Sequence, residues 1–167
     1  MTIEQFNKFN IDQAQQLLFN CCGSTIWSTK LAARRPFHSI VELKTDADKI
    51  WLQCEELEWR DAFLHHPKIG DIKSLAEKFA STKQWASGEQ SAVNTAAQNV
   101  LTELKGLNDE YEKKFGFIFI VCATGKSAAE ILLLLKQRLP NNPEKEIKIA
   151  ANEQNKITHL RIDKLFS

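Results

Sequence analysis

Two adjacent histidines precede a proline in the segment WRDAFLHHPKIGD, and the second, His66, is the strongest candidate for proton chemistry. Pro67 disfavours the α conformation in the residue before it, so a preceding helix should end at His66. Because His66 lies three residues after Phe63 and seven after Trp59, it should share their inward face. The carboxyl end of a helix favours imidazolium, which suits a proton donor. The alternative is a buried histidine that is hydrogen-bonded to a carbonyl group.

A permanent positive charge interrupts the apolar stripe that is predicted for the last helix. Arg161 lies four residues after Ile157 and four before Leu165, so its guanidinium should face the same side as these apolar residues. We therefore expect an anionic group to pair with the guanidinium of Arg161. An arginine that reaches the edge of the bundle, or that pairs with a core carboxylate, would explain the position equally well.

The long central helix is predicted to begin with two polar residues, Glu89 and Gln90, that are candidates for a site. Glu89 lies four residues before Val93 and Gln90 lies seven before Ala97, so the spacing allows both to face the core. An acidic first turn and a capping glutamine are also ordinary features of a helix start, which is the alternative explanation.

The sequence lacks the usual motifs of metal and nucleotide sites, since H-E-x-x-H, G-x-S-x-G, G-x-G-x-x-G and paired C-x-x-C do not occur. The tripeptide Gly125-Lys126-Ser127 follows an apolar run and opens a helix, as in a phosphate-binding loop, but Ile120 occupies the position of the first required glycine. We therefore expect neither a metal nor a cofactor. The cysteines lack the spacing of a disulfide scaffold and should be reduced and mostly buried: Cys21, Cys22, Cys54 and Cys122.

The composition is typical of one domain, residues 1–167, because 167 residues with 43% hydrophobic content can bury a sizeable core. The 22 Lys and Arg residues are balanced by 21 Asp and Glu residues, which leaves no basic excess for nucleic acid. No apolar stretch approaches the roughly 20 residues of a membrane helix, and the segment MTIEQFNKFN lacks the features of a signal peptide. We expect a cytosolic protein that binds neither nucleic acid nor membranes.

Helix caps divide the first part of the chain into helical segments. A capping-box pattern at residues 12–15 predicts a helix that ends at Gly23, and Ser24 is predicted to cap a second helix. Ser39 should open a third helical stretch, which is predicted to continue to His66.

The second part of the chain is also predicted to be helical. A capping box at Ser87 and Gln90 precedes apolar residues in alternating steps of three and four, which predicts a long core-facing helix through Val93, Ala97, Val100, Leu104, Leu107 and Tyr111. The apolar segment near 117–122 could be a strand or a buried extended segment. Ser127 caps the next helix, and Asn142 with Pro143 opens the last one. Because one possible strand has no partner, the predicted fold class is all-α.

The chain contains, in this order, the blocks RRPFHSIVEL, WRDAFLHHPKIGD, SGEQ, LNDEYEKKFGFIFIVCATGKS and EIKIAANEQNKITHLRIDKL. Together they resemble the 2-oxo-4-hydroxy-4-carboxy-5-ureidoimidazoline (OHCU) decarboxylase family of urate breakdown. The resemblance spans nearly the whole chain, and several ordered blocks are more specific than any single one. It implies an all-helical, cofactor-free and commonly dimeric enzyme that converts OHCU to (S)-allantoin.

The resemblance also implies roles for individual residues. His66, the histidine before the proline, corresponds to the catalytic acid of the family, and Glu89 is the second catalytic residue. Many members have a serine three residues before this glutamate, where this chain has Ala86, so that Ser87 stands one position later. Contacts with the substrate are implied for Pro67, Ser87, Gln90, Phe119, Ile120, Val121, Cys122, Ala123 and Arg161.

Two other classes of function compete with the enzyme. In a helical protein-interaction module, His66 and Arg161 would only pair with internal carboxylates. A helix-turn-helix protein that binds nucleic acid would need a basic recognition face, which the balanced charge disfavours.

Overall fold

A computed structural model describes residues 1–66 and 90–167, and within them the chain forms eight helices and no β-strand. The all-α prediction is confirmed for this part of the chain. The helices are α1 (Ile3–Asn7), α2 (Ile11–Cys22), α3 (Thr25–Ala32), α4 (Ile40–Leu52), α5 (Glu56–Leu64), α6 (Gln90–Phe115), α7 (Ala128–Arg138) and α8 (Pro143–Phe166). None of them combines the length and the apolar character that crossing a membrane requires.

The chain divides into two compact units, one made of residues 1–66 and 147–167 and the other of residues 67–146. The boundary at residue 146 falls inside α8. The prediction of a single domain over residues 1–167 stays a prediction.

Side-chain caps fix the helix boundaries of the first unit. Ser24 accepts a hydrogen bond from the backbone N–H of Trp27 at 3.2 Å, and Ser39 caps α4, as predicted. The predicted cap at residues 12–15 is wrong, because Asn10 and Gln13 form the capping box two residues earlier. Asp12 instead lies in the first turn of α2, where its charge favours the helix dipole.

The prediction of one continuous helix up to His66 is also wrong. α4 ends at Leu52 and a new helix, α5, begins at Glu56. Glu58 accepts a hydrogen bond from the backbone N–H of Glu55 at 2.7 Å and so stabilises this start. Neither glycine nor proline marks the break, and the short helix α1 was not predicted either.

The core of the first unit is built around large aromatic residues whose polar atoms are satisfied. The indole N–H of Trp27 donates to the carbonyl of Ala47 at 3.0 Å, and that of Trp51 donates to the carbonyl of Ala151 at 2.9 Å. Burial of each large apolar side chain is worth about 1.5–3 kcal/mol, and these rings bury that surface without an unpaired donor. Other large side chains that are fully buried in this unit include Phe6, Leu18, Leu31, Leu43 and Phe63.

The described part of the second unit places the long predicted helix against an aromatic cluster. The ring of Tyr111 on α6 lies 4.6 Å from that of Phe115, 5.8 Å from Phe117 and 5.1 Å from Phe119, measured between centroids. Residues 118–123 adopt neither helix nor strand. Of the two alternatives for this apolar segment, the strand is therefore excluded and the buried segment without regular secondary structure remains. Ser127 and Glu130 form the predicted capping box of α7.

Candidate active site

His66 lies directly beyond the end of α5, where the backbone of the last turn holds it. Its N–H donates to the carbonyl of Phe63 at 3.2 Å, and Phe63 is 1% exposed. The half-buried imidazole is hydrogen-bonded through Nε2 to Oε1 of Gln154 on α8. His65 is exposed, and its ring packs edge-on against Phe19 with 4.8 Å between centroids. The two histidines therefore lie in different environments.

Gln154 is a polar residue that the sequence analysis did not single out. It is fully buried, and its side-chain Nε2 donates to the carbonyl of Cys22 at 3.1 Å and to Oγ1 of Thr158 at 3.2 Å. It lies on the buried face of α8, where its neighbours include Ala150 and Ala151. A glutamine on such an apolar stripe was a visible signal, because a buried amide requires partners for its donors and acceptor.

Gly23 allows the end of α2 to approach the end of α5. Its φ is +87°, a left-handed conformation that glycine adopts without steric cost. A Cβ at this position would lie 2.8 Å from Cβ of His65 and 3.1 Å from the carbonyl oxygen of Ala62. The glycine that ends α2 thus lets the final carbonyl groups of α2 lie beside the segment that carries His66.

Arg161 on α8 is half-buried and contacts the same helix end. Its Nη1 donates to the carbonyl of Cys21 at 3.2 Å, so the guanidinium lies against the negative end of the α2 dipole. Within the described residues, no salt bridge joins Arg161 to a carboxylate, and this hydrogen bond occupies one of the five N–H donors of the guanidinium. The core-carboxylate alternative therefore finds no support in that part of the chain.

These contacts define the helix-end cluster: His66, Gln154 and Arg161, arranged around the carbonyl groups of Cys21 and Cys22. The thiols beside it are unsuited to nucleophilic chemistry. Burial raises the pKa of Cys21 to about 11 and that of Cys22 to about 12, so both are protonated at neutral pH. All four cysteines are free and buried, as expected, and the described residues contain no group of side chains that could hold a metal ion.

The predicted substrate-contacting segment Phe119 to Ala123 lies in the second unit, and three of its carbonyl groups accept internal hydrogen bonds. The carbonyl of Ile120 accepts from Nη1 of Arg138 at 2.8 Å, and that of Cys122 accepts from Nζ of Lys126 at 2.9 Å. The carbonyl of Ala123 accepts from the backbone N–H of Lys126 at 3.0 Å. These three carbonyl groups are thereby fixed in place. The side chain of Lys126 is thus engaged locally rather than arranged as in a phosphate-binding loop.

A second buried cluster holds this segment in position. Arg138 on α7 contacts Oε1 of Glu146 through Nε at 2.7 Å and through Nη2 at 2.6 Å. The hydroxyl of Tyr111 donates to the same carboxylate oxygen at 2.5 Å, and Asn141 donates to Oε2 at 2.7 Å. Burial raises the pKa of Tyr111, to which the carboxylate of Glu146 adds, while the guanidinium opposes the shift. We call these four residues the Arg138 cluster.

Arg138 was not predicted as a functional residue, although the sequence contains a signal for its burial. Arg138 lies three residues after Leu135 and seven after Ile131, so it falls on the buried face of α7.

The other predicted site residues are only partly covered by the structure. Pro67, Ser87 and Glu89 lie outside the described residues, and Gln90 is described only as the first residue of α6. The structure therefore brings together His66 and Arg161 in one unit and places Phe119 to Ala123 in the other.

A family model described as OHCU decarboxylase matches residues 7–163 of this chain. The chain belongs to the OHCU decarboxylase family. The uric acid degradation bifunctional protein of Arabidopsis thaliana is 40% identical over 147 residues, which are 88% of this chain and 45% of the plant protein. The 2-oxo-4-hydroxy-4-carboxy-5-ureidoimidazoline decarboxylase of Xenopus laevis is 28% identical over 169 residues, which are 99% of this chain and 90% of the frog protein.

A solved structure supports the same relationship. The crystal structure of an OHCU decarboxylase in the presence of (S)-allantoin matches with a TM-score of 0.71 and 38% sequence identity, covering 89% of this chain and 95% of that one. The chain spans less than half of the plant bifunctional protein, 45% of its length.

Proposed function

We propose that this protein catalyses the cofactor-independent decarboxylation of OHCU to (S)-allantoin in urate breakdown. The observation that carries the proposal is the helix-end cluster of a chain in the OHCU decarboxylase family. In this cluster the half-buried His66 contacts Gln154, while Gln154 and Arg161 both donate to the last carbonyl groups of α2. The crystallised relative with 38% identity was studied in the presence of (S)-allantoin, which supports a ureide as the ligand.

The reaction can proceed without a cofactor because the substrate supplies its own electron sink. Loss of CO₂ breaks one C–C bond and leaves the electron pair on the ring carbon, from which the conjugated ring nitrogen and carbonyl can accept it. One proton must then be delivered to one face of that carbon to give a single enantiomer. In this proposal His66 either exchanges a proton with the substrate hydroxyl or delivers the proton to the ring carbon.

The remaining residues bind and orient the substrate. The planar donors of Arg161 suit a ring amide or a carboxylate, and the amides of Phe119 to Ala123 would fix the ring and ureido group. Glu89 would stand on the side of the departing carboxylate, where a second negative charge destabilises the ground state. Further contacts are proposed for Pro67, Ser87 and Gln90.

We propose further that residues 1–167 form one catalytic domain, that the protein is a homodimer, and that it works in the cytosol. The family match over residues 7–163 spans both compact units and supports the single domain. Four free, buried thiols are compatible with a reducing compartment.

The decisive experiment generates OHCU from urate with the upstream enzymes and follows optical activity as allantoin appears. The proposed function predicts that this protein accelerates the formation of the (S)-enantiomer, whereas spontaneous decay gives the racemate. Racemic allantoin at the uncatalysed rate would refute the proposal and favour the interaction module.

A further inference from the structure

The guanidinium of Arg138 is held by a carboxylate along one edge. Its Nε and Nη2 atoms lie 2.7 and 2.6 Å from the same atom, Oε1 of Glu146, whose side chain is 0% exposed. Because the guanidinium is planar and two of its nitrogens are anchored, the position of the third nitrogen, Nη1, is fixed as well.

This third nitrogen contacts the predicted substrate-contacting segment. Nη1 donates to the carbonyl of Ile120 at 2.8 Å, and Cζ of Arg138 lies 4.5 Å from the centroid of the Phe119 ring. A guanidinium over an aromatic face is attracted by the ring. Arg138 therefore holds two consecutive residues of the segment, one through its main chain and the other through its side chain.

Stability alone does not account for a buried ion pair at this position. The desolvation of two buried charges largely cancels their attraction, and apolar residues of similar volume are often at least as stabilising. The pair of Arg138 and Glu146 adds a directed hydrogen bond to the carbonyl of Ile120, for which an apolar side chain has no donor. The ion pair thus orients the main chain as well as filling the core.

The hydrogen bond to Ile120 also determines the direction of the next N–H group. The peptide bond between Ile120 and Val121 is trans, and in a planar trans peptide the C=O and N–H bonds point in opposite directions. Since the carbonyl of Ile120 points to Arg138, the N–H of Val121 points away from it. Val121 is half-buried, and no hydrogen bond among residues 1–66 and 90–167 uses this N–H.

We propose that Arg138 is a positioning residue that sets the direction of the peptide between Ile120 and Val121, so that the N–H of Val121 donates a hydrogen bond to a carbonyl oxygen of the ureide. This inference rests on the proposed function and deepens it, because it assigns one donor within the segment. An N–H group can only donate, so it selects an oxygen of the substrate rather than a ureido N–H. Arg138 does not need to touch the substrate, because it acts through the peptide that it orients.

The test is NMR of protein labelled with ¹³C at the isoleucine carbonyl carbons and with ¹⁵N at valine. Only a peptide bond from an isoleucine to a valine joins both labels, and the sequence contains two, at residues 40–41 and 120–121. Val41 is 74% exposed in the first turn of α4, so it serves as the reference amide in the same sample. The signal that disappears in Val41→Ala identifies the reference.

Arg138→Lys is the informative variant. Lysine keeps a positive charge beside Glu146, but one ammonium nitrogen cannot replace two edges of a guanidinium, so the carbonyl of Ile120 loses its fixed donor. Asn108→Ala is the matched control for a loss of stability in the same unit. Asn108 is buried, and its hydrogen bond to the carbonyl of Leu104 at 2.9 Å lies within α6.

In wild type, saturating (S)-allantoin should shift the amide proton of Val121 downfield and slow its exchange, while Val41 stays unchanged. In Arg138→Lys we expect the carbonyl-carbon signal of Ile120 to move and the response of Val121 to (S)-allantoin to fall. KM for OHCU should rise about tenfold in this variant, with a smaller change in kcat. Asn108→Ala should lose stability but keep the wild-type KM and the wild-type response of Val121.

The proposal is overturned if bound (S)-allantoin leaves the Val121 amide unchanged. It is also overturned if Arg138→Lys keeps both the wild-type KM and the wild-type response of Val121. A similar rise of KM in Asn108→Ala would contradict it as well, because loss of stability would then explain the effect. If Arg138→Lys does not fold, the wild-type titration decides by itself, since an unresponsive Val121 refutes the donor.

These outcomes are separable from failure of the proposed function. If the protein neither accelerates the formation of (S)-allantoin nor binds it, the proposed function fails, whatever the direction of the peptide. If the enzyme is active and binds (S)-allantoin without a response at Val121, only the assignment of Val121 and Arg138 fails.

Discussion

Each unit of this protein places an arginine on an apolar helix face, and the two guanidinium groups are used in opposite ways. The side chain of Arg138 is 9% exposed, and its Nε, Nη1 and Nη2 atoms all have partners at 2.6–3.3 Å. Arg161 is half-buried and makes one described hydrogen bond, to a backbone carbonyl at 3.2 Å. The charge of Arg138 is neutralised by a carboxylate within its unit, while Arg161 has no carboxylate partner among the described residues.

The comparison shows that an arginine on an apolar stripe does not by itself indicate a binding site. Arg138 and Arg161 have similar sequence surroundings, yet within residues 1–66 and 90–167 only Arg138 pairs with a buried carboxylate, that of Glu146. A fully buried guanidinium must be satisfied by its own fold, whereas a half-buried one can direct donors to water or to a ligand. The helix-end cluster is therefore expected to carry chemistry, and the Arg138 cluster to carry stability and the placement of Ile120.

The largest expected effect separates His66, a member of the helix-end cluster, from its neighbour His65. His66→Asn should lower the rate of (S)-allantoin formation by about two to four orders of magnitude, the usual contribution of a positioned acid or base, while the protein remains folded. His65→Asn should lose little activity, because His65 is exposed. The measurement must follow enantiomeric excess as well as rate, since spontaneous racemic product can hide an inactive enzyme. Equal losses in both variants would indicate a structural helix end.

The same substitution at the two arginines should affect stability very differently. Arg138→Met leaves the fully buried carboxylate of Glu146 without its cation and should lower the free energy of unfolding by about 3–5 kcal/mol. Arg161→Met should lower it by about 1 kcal/mol or less, because one half-buried hydrogen bond is lost. Denaturant unfolding of both variants measures the difference. Similar losses at both positions would break the comparison between the clusters.

Charge alone should not replace the guanidinium of Arg161. Arg161→Lys keeps the positive charge but loses the planar arrangement of donors, so we expect a ten- to hundredfold rise in KM, about 1.5–3 kcal/mol of binding. A thermal-shift titration provides a second measurement, because (S)-allantoin should raise the Tm of wild type more than that of the variant. Wild-type affinity in Arg161→Lys would show that the arginine is structural.

The smallest effect is expected inside the Arg138 cluster. Tyr111→Phe removes one hydroxyl, but Glu146 keeps its contacts with Arg138 and Asn141, so the free energy of unfolding should fall by about 1 kcal/mol. Denaturant midpoints measure this change. A loss as large as that of Arg138→Met would mean that the hydroxyl, rather than the ion pair, organises the cluster.

The helices were predictable wherever local residues determine their boundaries. Ser24, Ser39 and Ser127 cap their helices as the sequence indicated, because a cap depends on neighbours only a few residues away. The break between α4 and α5 was not predictable from such signals, since the residues between Leu52 and Glu56 include neither glycine nor proline. Trp51 in the last turn of α4 and Cys54 within the break are both buried, so tertiary packing contributes to that break.

Individual site residues were visible in the sequence, but their partners were not. His66 and Arg161 stood out because polar groups on apolar stripes need an explanation. That Gln154 meets His66 across 88 residues, and that Arg161 meets the carbonyl of Cys21 across 140, depends on how α2, α5 and α8 pack. Helical periodicity describes one helix at a time and contains no information about such contacts.

The buried thiols imply that the protein should resist electrophiles and peroxide. With a pKa of about 11 for Cys21 and about 12 for Cys22 and Cys54, the reactive thiolate of each is a fraction on the order of 10⁻⁴ or less at pH 7. Oxidants and alkylating reagents attack that thiolate, so these three sulfurs should react slowly while the fold persists. The rate at which thiol reagents consume these three sulfurs would therefore report how often the first unit opens.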